Sequence, residues 1–263
     1  MSLRYQGPFR LIVHSPLEGR RNMAVDEHLM EAVGRAMSPP VIRLYGFSPP
    51  TLSLGRFQRL EGRIDHARLQ EEGVTLVRRP TGGQAVLHDQ ELTYAVVLAR
   101  EHLEPYSKRE VYRFIADLLV DALRRLGIEC YSSRSRSGSP HNPDCFSSTG
   151  EYEIASPAGR KLIGSAQILG RLASLQHGSV PLDRSYRSIE RFLTLPPAPA
   201  VPAGSLSEEL GRPVSFTEVT AAFKEAACAA LPTSEQDLSP REWEAVAELE
   251  RSKYGTDLWN LGS

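Results

Sequence analysis

Three strand-like segments follow one another between Val74 and Ala99, with no helix between them. They read VTLVRR, QAVLH and LTYAVVLA, which are rich in β-branched and aromatic residues and are separated by turn-forming residues. A doubly wound fold needs a helix between successive parallel strands. The spacing therefore predicts an α+β chain, with mixed β-sheets flanked by helices, rather than a doubly wound α/β fold.

Helices are indicated by capping residues and by apolar spacing. Ser107 and Glu110 form a capping box, an apolar stripe follows, and Gly127 ends the helix. The other predicted helices are Met23–Ala36, Asp65–Gly73, about 216–230 and about 241–253. Further strands are predicted over 8–14, 41–45, 51–55 and in IECY, EYEIA, KLIGSAQIL and SLQHGSVPL, while 132–144 is predicted as a loop.

The proline-rich segment LPPAPAVPAG, residues 195–204, divides the chain. It can form neither a helix nor a central strand, because proline lacks the backbone N–H that both require. We therefore predict a main domain over 1–194, a linker over 195–204, and a helical C-terminal segment over 205–263 that packs on the same domain.

Charge gives no reason to expect a nucleic acid or a membrane as partner. The chain has 31 basic and 32 acidic residues among its 263, so no overall field attracts a polyanion. It has no apolar run near the roughly 18 residues that a membrane span needs, and its N-terminus lacks the features of a secretory signal. We predict a cytoplasmic protein.

The three cysteines are too few and too scattered for a disulfide framework or a metal site. They are Cys130, Cys145 and Cys228, and neither they nor the seven histidines show the spacing of metal ligands. Cys130 and Cys228 lie among apolar residues, as buried thiols do. Cys145, in PDCFSS, has polar neighbours and is the candidate for a reactive, accessible thiol.

The corner RRPTGGQAVLHD, residues 78–89, places two arginines, a glycine pair and a histidine between two predicted strands. Glycines let the backbone approach a ligand closely, and Arg78 or Arg79 could hold a carboxylate, phosphate or carbonyl oxygen. For an isolated motif of this kind, a tight turn with two solvated arginines is the better explanation. The corner lacks the Gly-Lys-Ser/Thr of a P-loop and the GxGxxG of a dinucleotide site.

Six motifs taken together resemble the biotin/lipoate protein ligase superfamily. In chain order they are NMAVDEHL, PPTLSLGRFQ, RRPTGGQAVLHDQELTYAVV, DCF, GRKLIGSAQ and LQHGSVPLD. The resemblance covers nearly the whole chain and implies the class II synthetase-like catalytic fold of that superfamily. Within it, the chain looks most like the cysteine-dependent bacterial octanoyltransferases of the lipoate-ligase-like branch. It departs from related sequences at Gln84, where a third glycine is usual, and at Phe47, where tryptophan is common.

The resemblance implies an activity in lipoate biosynthesis. Octanoate would pass from acyl carrier protein to a thioester on Cys145, and then to a lysine of a lipoyl-carrier protein, such as the glycine cleavage H protein or an E2 subunit. Lys161 matches the family lysine that activates the thiol, since a nearby cation lowers the pKa of a cysteine from about 8.5. No cofactor, ATP or metal is expected.

The resemblance also implies the composition of the acyl pocket. Arg78, Gly82, Gly83 and His88 would form one wall, with Gly164, Ser165, Ala166 and Gln167 opposite. A plain hairpin over 145–170 would leave Cys145 about 25 Å from Lys161 along the strands. We therefore predict that the loop ending at Cys145 folds back over the sheet, bringing the Cys145 sulfur within about 8 Å of Lys161 Nζ.

Three alternatives remain open from the sequence. An ATP-dependent lipoate ligase would use the same lysine without a cysteine nucleophile. An amidotransferase would move octanoate between two lipoyl-carrier proteins. A non-catalytic module would bind a carrier domain without transferring an acyl group.

Overall fold

The computed structural model of the chain describes residues 2–59, 62–132, 137–138, 148–149, 153–183, 189–194 and 203–262. The helices are α1 (Gly19–Gly34), α2 (His66–Glu71), α3 (Lys108–Arg125), α4 (Leu206–Leu210), α5 (Phe216–Ala230) and α6 (Pro240–Leu249). Shorter 3-10 or π-helical turns cover Arg100–His102, Ile189–Phe192, Glu250–Tyr254 and Leu258–Gly262.

The strands are distributed along the whole chain. They are β1 (Ser2–Leu3), β2 (Phe9–Val13), β3 (Val41–Tyr45), β4 (Thr51–Leu54), β5 (Thr75–Arg78), β6 (Val86–His88), β7 (Glu91–Ala99), β8 (Leu103–Glu104), β9 (Tyr131–Ser132), β10 (Ser137–Gly138), β11 (Ser148–Thr149), β12 (Ile154–Ala155), β13 (Lys161–Leu169), β14 (Ala173–Pro181) and β15 (Thr233–Glu235).

A large mixed sheet forms the centre of the fold. Within the described ranges its strands lie in the order β15-β2-β3-β7-β14-β13-β12-β9, with β15, β2 and β3 parallel and the other neighbours antiparallel. Every residue of β7 is buried, because helices cover both faces of the sheet. The predicted α+β class with mixed sheets is confirmed.

The two faces of the large sheet carry separate apolar cores. Leu92, Tyr94 and Val96 of β7 pack with residues of α3 and α5, whereas Ala95 and Val97 pack with residues of α1 and α6. This is the alternation expected of a strand, where successive side chains point to opposite faces. The α1 face is the one that carries the candidate site.

A smaller sheet lies beside this face and carries the glycine corner. Its strands run in the order β5-β4-β6, with β5 parallel and β6 antiparallel to β4. α2 and the 189–192 turn complete its apolar core, which includes Leu69 and Phe192. Since β5 ends at Arg78 and β6 begins at Val86, the predicted corner connects two strands of this sheet.

Most of the predicted helices are confirmed. Ser107 caps α3 and Asp65 caps α2, and α5 has the predicted bounds. α1 begins at Gly19, not at Met23 as predicted. The prediction started too late because the first turn is polar and Glu18 makes no side-chain cap, so no sequence pattern marks the start of the helix. β15 was not predicted; it is a short polar edge strand beside β2.

The C-terminal helices lie against the rest of the fold. α5 packs on α3, and α6 packs on α1. Of the predicted linker, the described ranges include only residues 203–204, so the division at 195–204 stays a prediction. The short strand β10 lies within the predicted 132–144 loop and pairs with β11, which lies beyond it. None of the helices in the described ranges is long and apolar enough to cross a bilayer.

Candidate functional site

A narrow cavity, partly open to solvent, lies between the small sheet and the α1 face of the large sheet. β14 and β13 form one wall, and residues of β4, β6 and the glycine corner form the other. The lining residues are Met23, Tyr45, Phe47, Ser53, Arg79, Val86, His88, Thr93, Gly164, Ser165, Ala166, His177, Gly178 and Ser179. Most are apolar or uncharged, with Arg79 as the cation among them.

The Arg79 side chain is fixed by hydrogen bonds inside the corner itself. Its Nη2 donates to the carbonyl oxygens of Gly82 at 2.8 Å and Gln84 at 2.6 Å. Its Nη1 donates to Ser53 Oγ at 3.1 Å, and its Nε to Thr81 Oγ1 at 3.1 Å. The guanidinium therefore shapes the Gly82–Gly83 backbone and presents a positive charge to the cavity.

Arg78 points the other way. Its Nη1 donates to the carbonyl oxygens of Gly55 and Gln58, each at 2.8 Å, and its Nε donates to the carbonyl of Trp259 at 3.1 Å. Its backbone N–H donates to Asn260 Oδ1 at 2.9 Å. Arg78 thus ties the C-terminal turn to the 55–58 segment, and its side chain does not line the cavity.

A fully buried carboxylate, Asp26, anchors a polar chain under the cavity. Asp26 accepts from Arg43 Nη1 at 2.7 Å, from the Tyr45 hydroxyl at 2.8 Å and from His177 Nδ1 at 2.9 Å. Burial alone raises the pKa of the Asp26 carboxyl, but the Arg43 charge and the His177 hydrogen bond outweigh it, so the pKa lies below its ordinary value. Asp26 is therefore an acceptor at neutral pH.

The same chain continues through His177 to Arg79. Burial lowers the pKa of His177, so the ring is neutral at pH 7 and, having donated from Nδ1 to Asp26, accepts at Nε2 from Thr81 Oγ1 at 2.6 Å. The Thr81 oxygen in turn accepts from Arg79 Nε. Each hydrogen bond between Asp26 and Arg79 therefore has a defined donor and a defined acceptor. This chain holds the Arg79 guanidinium in one orientation.

A second polar chain joins Glu91, His88 and Ser53. His88 Nδ1 lies 2.6 Å from Glu91 Oε1, and His88 Nε2 lies 2.8 Å from Ser53 Oγ. Glu91 also accepts from the hydroxyls of Thr93 and Ser179. The His88 ring is stacked on Phe47 at a centroid distance of 4.0 Å. The sequence Glu–His–Ser has the connectivity of a hydrolase triad, although the Ser53 oxygen is buried and already accepts from Arg79.

Of the glycine pair, the structure requires a glycine at Gly83, whereas a Cβ on Gly82 would meet no atom within 4 Å. Gly83 has φ +90°, and a Cβ there would lie 2.9 Å from Arg79 Nη2 and 3.7 Å from Ala166 Cβ. A Cβ on Gly55 would lie 1.9 Å from Gly83 O. The corner therefore reaches across to β13, as expected of glycines that let two segments meet.

The GSAQ segment of β13 divides its side chains between two faces. Ala166 lies opposite His177 and Gly164 opposite Ser179, and all four line the cavity. Ser165 borders the cavity, but its hydroxyl is 2.7 Å from the Tyr94 hydroxyl. Gln167 Nε2 donates to Gln176 Oε1 at 3.2 Å and to the Lys108 carbonyl at 3.4 Å, on the α3 side of the sheet.

Lys161 lies at the start of β13 and is almost completely buried. Its Nζ is 2.8 Å from Glu153 Oε1, with the two side chains 1% and 9% exposed. Lys161 is not among the residues that line the cavity. Cys145 lies outside the described residues, so the predicted approach of Cys145 to Lys161 stays a prediction.

The structure brings together His88, Gly164, Ser165 and Ala166 of the predicted pocket. Gly82 and Gly83 are not among the residues that line the cavity, although the Gly82 carbonyl accepts from the lining residue Arg79. The Arg78 and Gln167 side chains point elsewhere. Among the residues that line or support the cavity, Asp26 had no predicted site role, whereas Arg79 was considered together with Arg78 as a residue that could hold a carboxylate, phosphate or carbonyl oxygen. Asp26 lies in the motif NMAVDEHL, and His177 lies in LQHGSVPLD. The sequence signal that could have identified Asp26 is an acidic residue on the apolar side of α1. In the described part of the chain, no group of His, Cys, Asp or Glu side chains converges as a metal site.

Comparisons with known proteins identify the family and the fold. Residues 18–228 match the family described as lipoyl protein ligase A/B catalytic domain. Octanoyltransferase LipM of Kyrpidia tusciae is 40% identical, over 91% of this chain and 93% of the relative. Octanoyltransferase LipM of Symbiobacterium thermophilum is 37% identical, over 96% and 98%, and that of Bacillus subtilis is 36% identical, over 91% and 92%.

Solved structures agree on the fold. A chain from the bi-partite lipoate protein ligase of Thermoplasma acidophilum superposes with a TM-score of 0.78 at 23% identity, over 98% of this chain and 97% of that one. Lipoate-protein ligase A bound with ATP gives a TM-score of 0.78 at 24% identity, over 97% and 99%. The resemblance inferred from the six ordered motifs is confirmed, and the chain belongs to the lipoyl protein ligase A/B catalytic domain family.

Proposed function

We propose that this protein is an octanoyltransferase of lipoate biosynthesis, which moves octanoate from acyl carrier protein, through a thioester on Cys145, to a lysine of a lipoyl-carrier protein. The observation that carries the proposal is similarity along nearly the whole chain, at 34–40% identity, to curated octanoyltransferases. The fold alone is shared with ATP-dependent ligases and does not discriminate between the two reactions.

In the first step, the Cys145 thiolate attacks the carbonyl carbon of the octanoyl thioester on the donor. A new C–S bond forms, the bond to the carrier's thiol breaks, and that thiol takes up the proton that Cys145 lost. The exchange converts one thioester into another, so it requires no ATP, metal or other cofactor. Lys161 supplies the positive charge that favours the thiolate over the thiol.

In the second step, the neutral ε-amine of the acceptor lysine attacks the Cys145 thioester. An amide bond forms, the C–S bond breaks, and the thiolate is regenerated as the amine loses its proton. The acceptor is a lipoyl domain, such as the glycine cleavage H protein or an E2 subunit. We propose that the reaction takes place in the cytoplasm, as the sequence predicts.

The cavity suits a fatty chain more than a polar substrate. Its lining includes Met23, Phe47, Val86 and Ala166, and burying an eight-carbon chain contributes on the order of 5 kcal/mol at about 0.8 kcal/mol per CH₂. Backbone N–H groups of the glycine corner and of residues 164–166 are proposed to face the acyl carbonyl. Each such donor would stabilise the transition state by roughly 3 kcal/mol.

Intact mass spectrometry after incubation with octanoyl acyl carrier protein, without ATP, tests the proposal. We expect a protein adduct of octanoyl mass that hydroxylamine removes and that Cys145→Ala does not form. Addition of a lipoyl domain should discharge the adduct and acylate the domain. Strict dependence on ATP, with Cys145→Ala still active, would instead identify a lipoate ligase.

The other outcomes separate the remaining alternatives. Charging of Cys145 by an octanoylated lipoyl domain, and not by acyl carrier protein, would identify an amidotransferase. Binding of a carrier without acyl transfer would identify a non-catalytic module. An adduct that persists in Cys145→Ala and is lost in Ser53→Ala would assign the nucleophile to the Glu91–His88–Ser53 chain.

A further inference from the structure

We propose that a surface cleft beside the glycine corner is the docking surface for the acyl donor, and that it binds an acidic surface of the donor's carrier domain. The proposal rests on the proposed function, because it names where the donor of that reaction binds. The cleft is lined by Arg56, Phe57, Gln58, Arg59, Arg78, Trp259 and Gly262.

The cleft carries positive charge that no anion balances. Among the described residues no carboxylate lines it, and this includes Asp257, which precedes the C-terminal turn. Arg56 and Arg59 are exposed, and neither forms an ion pair with a carboxylate in the described part of the chain. Lys253 lies nearby, but its ammonium is paired with Glu27 at 2.7 Å. Exposed cations without a neighbouring anion attract a partner whose surface is acidic.

The Arg56 side chain is pre-organised for such a contact. Its guanidinium carbon lies 5.0 Å from the centroid of the Trp259 ring, and its backbone N–H donates to the Thr81 carbonyl at 2.8 Å. Trp259 is fixed as well, because its Nε1 donates to the Arg78 carbonyl at 2.8 Å. A cation that is already held over an aromatic face loses less conformational freedom when a partner binds to it.

Large apolar side chains border the same cleft. Six such side chains are exposed in the described ranges, and three of them are Phe57 at 80%, Leu258 at 73% and Leu261 at 39%. Phe57 lines the cleft, and the two leucines belong to the turn that contributes Trp259 and Gly262 to it. A free anion would contact the arginines alone, whereas a protein surface also buries apolar side chains. The combination therefore fits a protein domain.

The cleft lies next to the cavity, with the glycine corner between them. Arg78 lines the cleft and Arg79 lines the cavity, and the Cα atoms of consecutive residues are about 3.8 Å apart. Gln58 Nε2 donates to Gln84 Oε1 at 3.1 Å, which joins the cleft to the corner. A carrier domain on the cleft therefore has its acyl arm beside the proposed acyl site.

The charge of the cleft favours the donor over the acceptor as its occupant. The acceptor presents a lysine amine, which is a cation until it loses its proton, so Arg56 and Arg59 repel it. The donor presents an uncharged thioester. Of the two carriers in the proposed reaction, the donor is the one that a cationic cleft suits.

Charge reversal tests the docking surface, with octanoyl transfer to a lipoyl domain measured from two donors. For octanoyl acyl carrier protein, Arg56→Glu combined with Arg59→Glu should lower kcat/KM at least about tenfold, because like charges then face each other. For octanoyl-N-acetylcysteamine, a small uncharged thioester, kcat/KM should stay at the wild-type value. Added salt should slow the wild type with the carrier donor and have little effect on the double variant.

A matched control changes the same charge elsewhere. Arg113→Glu combined with Arg125→Glu alters two exposed arginines of α3, which packs on the other face of the large sheet. This variant should keep the wild-type kcat/KM for both donors.

The apolar part of the cleft is tested by binding, without turnover. Isothermal titration calorimetry with acyl carrier protein should give a Kd about fivefold higher for Phe57→Ser than for the wild type. Met37 is comparably exposed, at 68%, and does not line the cleft, so Met37→Ser should bind as the wild type does.

Four results would overturn the proposal, each obtained with variants that are folded by circular dichroism. The first is a wild-type Kd and kcat/KM for the carrier donor in the Arg56/Arg59 double variant. The second is an equal loss in the α3 control. The third is an equal loss with octanoyl-phosphopantetheine, which would show that the arginines bind the phosphate of the arm and not the carrier domain. The fourth is a loss confined to the lipoyl domain, which would make the acceptor the occupant.

Failure of the proposed function is a different result. A wild-type protein that transfers no octanoate defeats that function, whereas calorimetry still shows whether acyl carrier protein binds and whether the Arg56/Arg59 double variant weakens the binding.

Discussion

Arg78 and Arg79 are neighbours in the chain, yet they belong to two different regions of the molecule. Arg78 faces outward to the C-terminal turn, where it donates to the carbonyls of Gly55, Gln58 and Trp259. Arg79 faces inward to the cavity, where it donates to Ser53, Gly82 and Gln84. Since side chains alternate at the end of a strand, two adjacent arginines cannot serve the same region.

The difference shows that a charged residue in a motif is not necessarily a ligand-binding residue. Both side chains are buried, at 7% and 3% exposure, and both satisfy backbone carbonyls. Only Arg79 also lines the cavity. The outer region ties the C-terminal turn to the 55–58 segment and the inner one borders the cavity, so variants on each side are expected to separate stability from activity.

Arg78→Ala should have the largest effect, and it should be on stability. Removing the guanidinium deletes its hydrogen bonds to the carbonyls of Gly55, Gln58 and Trp259, so the free energy of unfolding should fall by about 3 kcal/mol. Urea denaturation followed by circular dichroism measures the loss. Arg56 is an exposed arginine in the surface cleft that Arg78 also lines. Arg56→Ala should change the free energy of unfolding by less than about 0.5 kcal/mol.

The same variant tests the sequence prediction that Arg78 binds substrate. A raised KM for the octanoyl donor, with the free energy of unfolding unchanged, would return Arg78 to the substrate site and would remove the contrast between the two regions.

Arg79→Lys should mainly lower activity. Lysine keeps the charge but cannot reproduce the fork that reaches Ser53, Gly82 and Gln84 together, so kcat/KM for octanoyl transfer should fall about tenfold or more. Octanoylation of a lipoyl domain, followed by mass spectrometry, measures the rate. Full activity in Arg79→Lys, at unchanged thermal stability, would show that the inner arginine is as structural as the outer one.

The smallest effect concerns pH and the polar chain beneath the inner region. Burial lowers the pKa of His177, so the folded protein binds fewer protons there than the unfolded chain once the pH falls below about 6.5. Stability should therefore be complete above that pH and decline below it, by at most about 1.4 kcal/mol per pH unit for this group. His177→Gln should make the decline shallower.

The pH experiment also needs to allow for other histidines. The pKa values of His14, His28 and His102 are lowered too, in each case chiefly by burial, so the wild-type slope is shared among them. His102→Gln, far from the inner region, should reduce the slope similarly but leave octanoyl transfer unchanged. An unchanged slope in His177→Gln would mean that the ring is not protonated on unfolding in this range.

The local sequence determined the elements and the family. Ser107, Asp65 and Ser215 cap their helices as their neighbours predict, because capping depends on residues within one turn. The run of strands without intervening helices was sufficient for the α+β class. The six ordered motifs led to the family because each is a contiguous segment, and β13 begins and ends with the KLIGSAQIL string that predicted it.

Only the tertiary structure decided which side chains share the cavity. Asp26 lies 151 positions from His177, and Thr81 lies 96 positions from it, so no local pattern records their hydrogen bonds. Arg78 and Arg79 point to different regions because of the direction in which β5 enters the corner. Gln167 and Ala166 point to opposite faces of the sheet because of the register of β13 on β14. A one-residue difference in strand phase reverses the face of a side chain, and that phase is set by packing against distant strands.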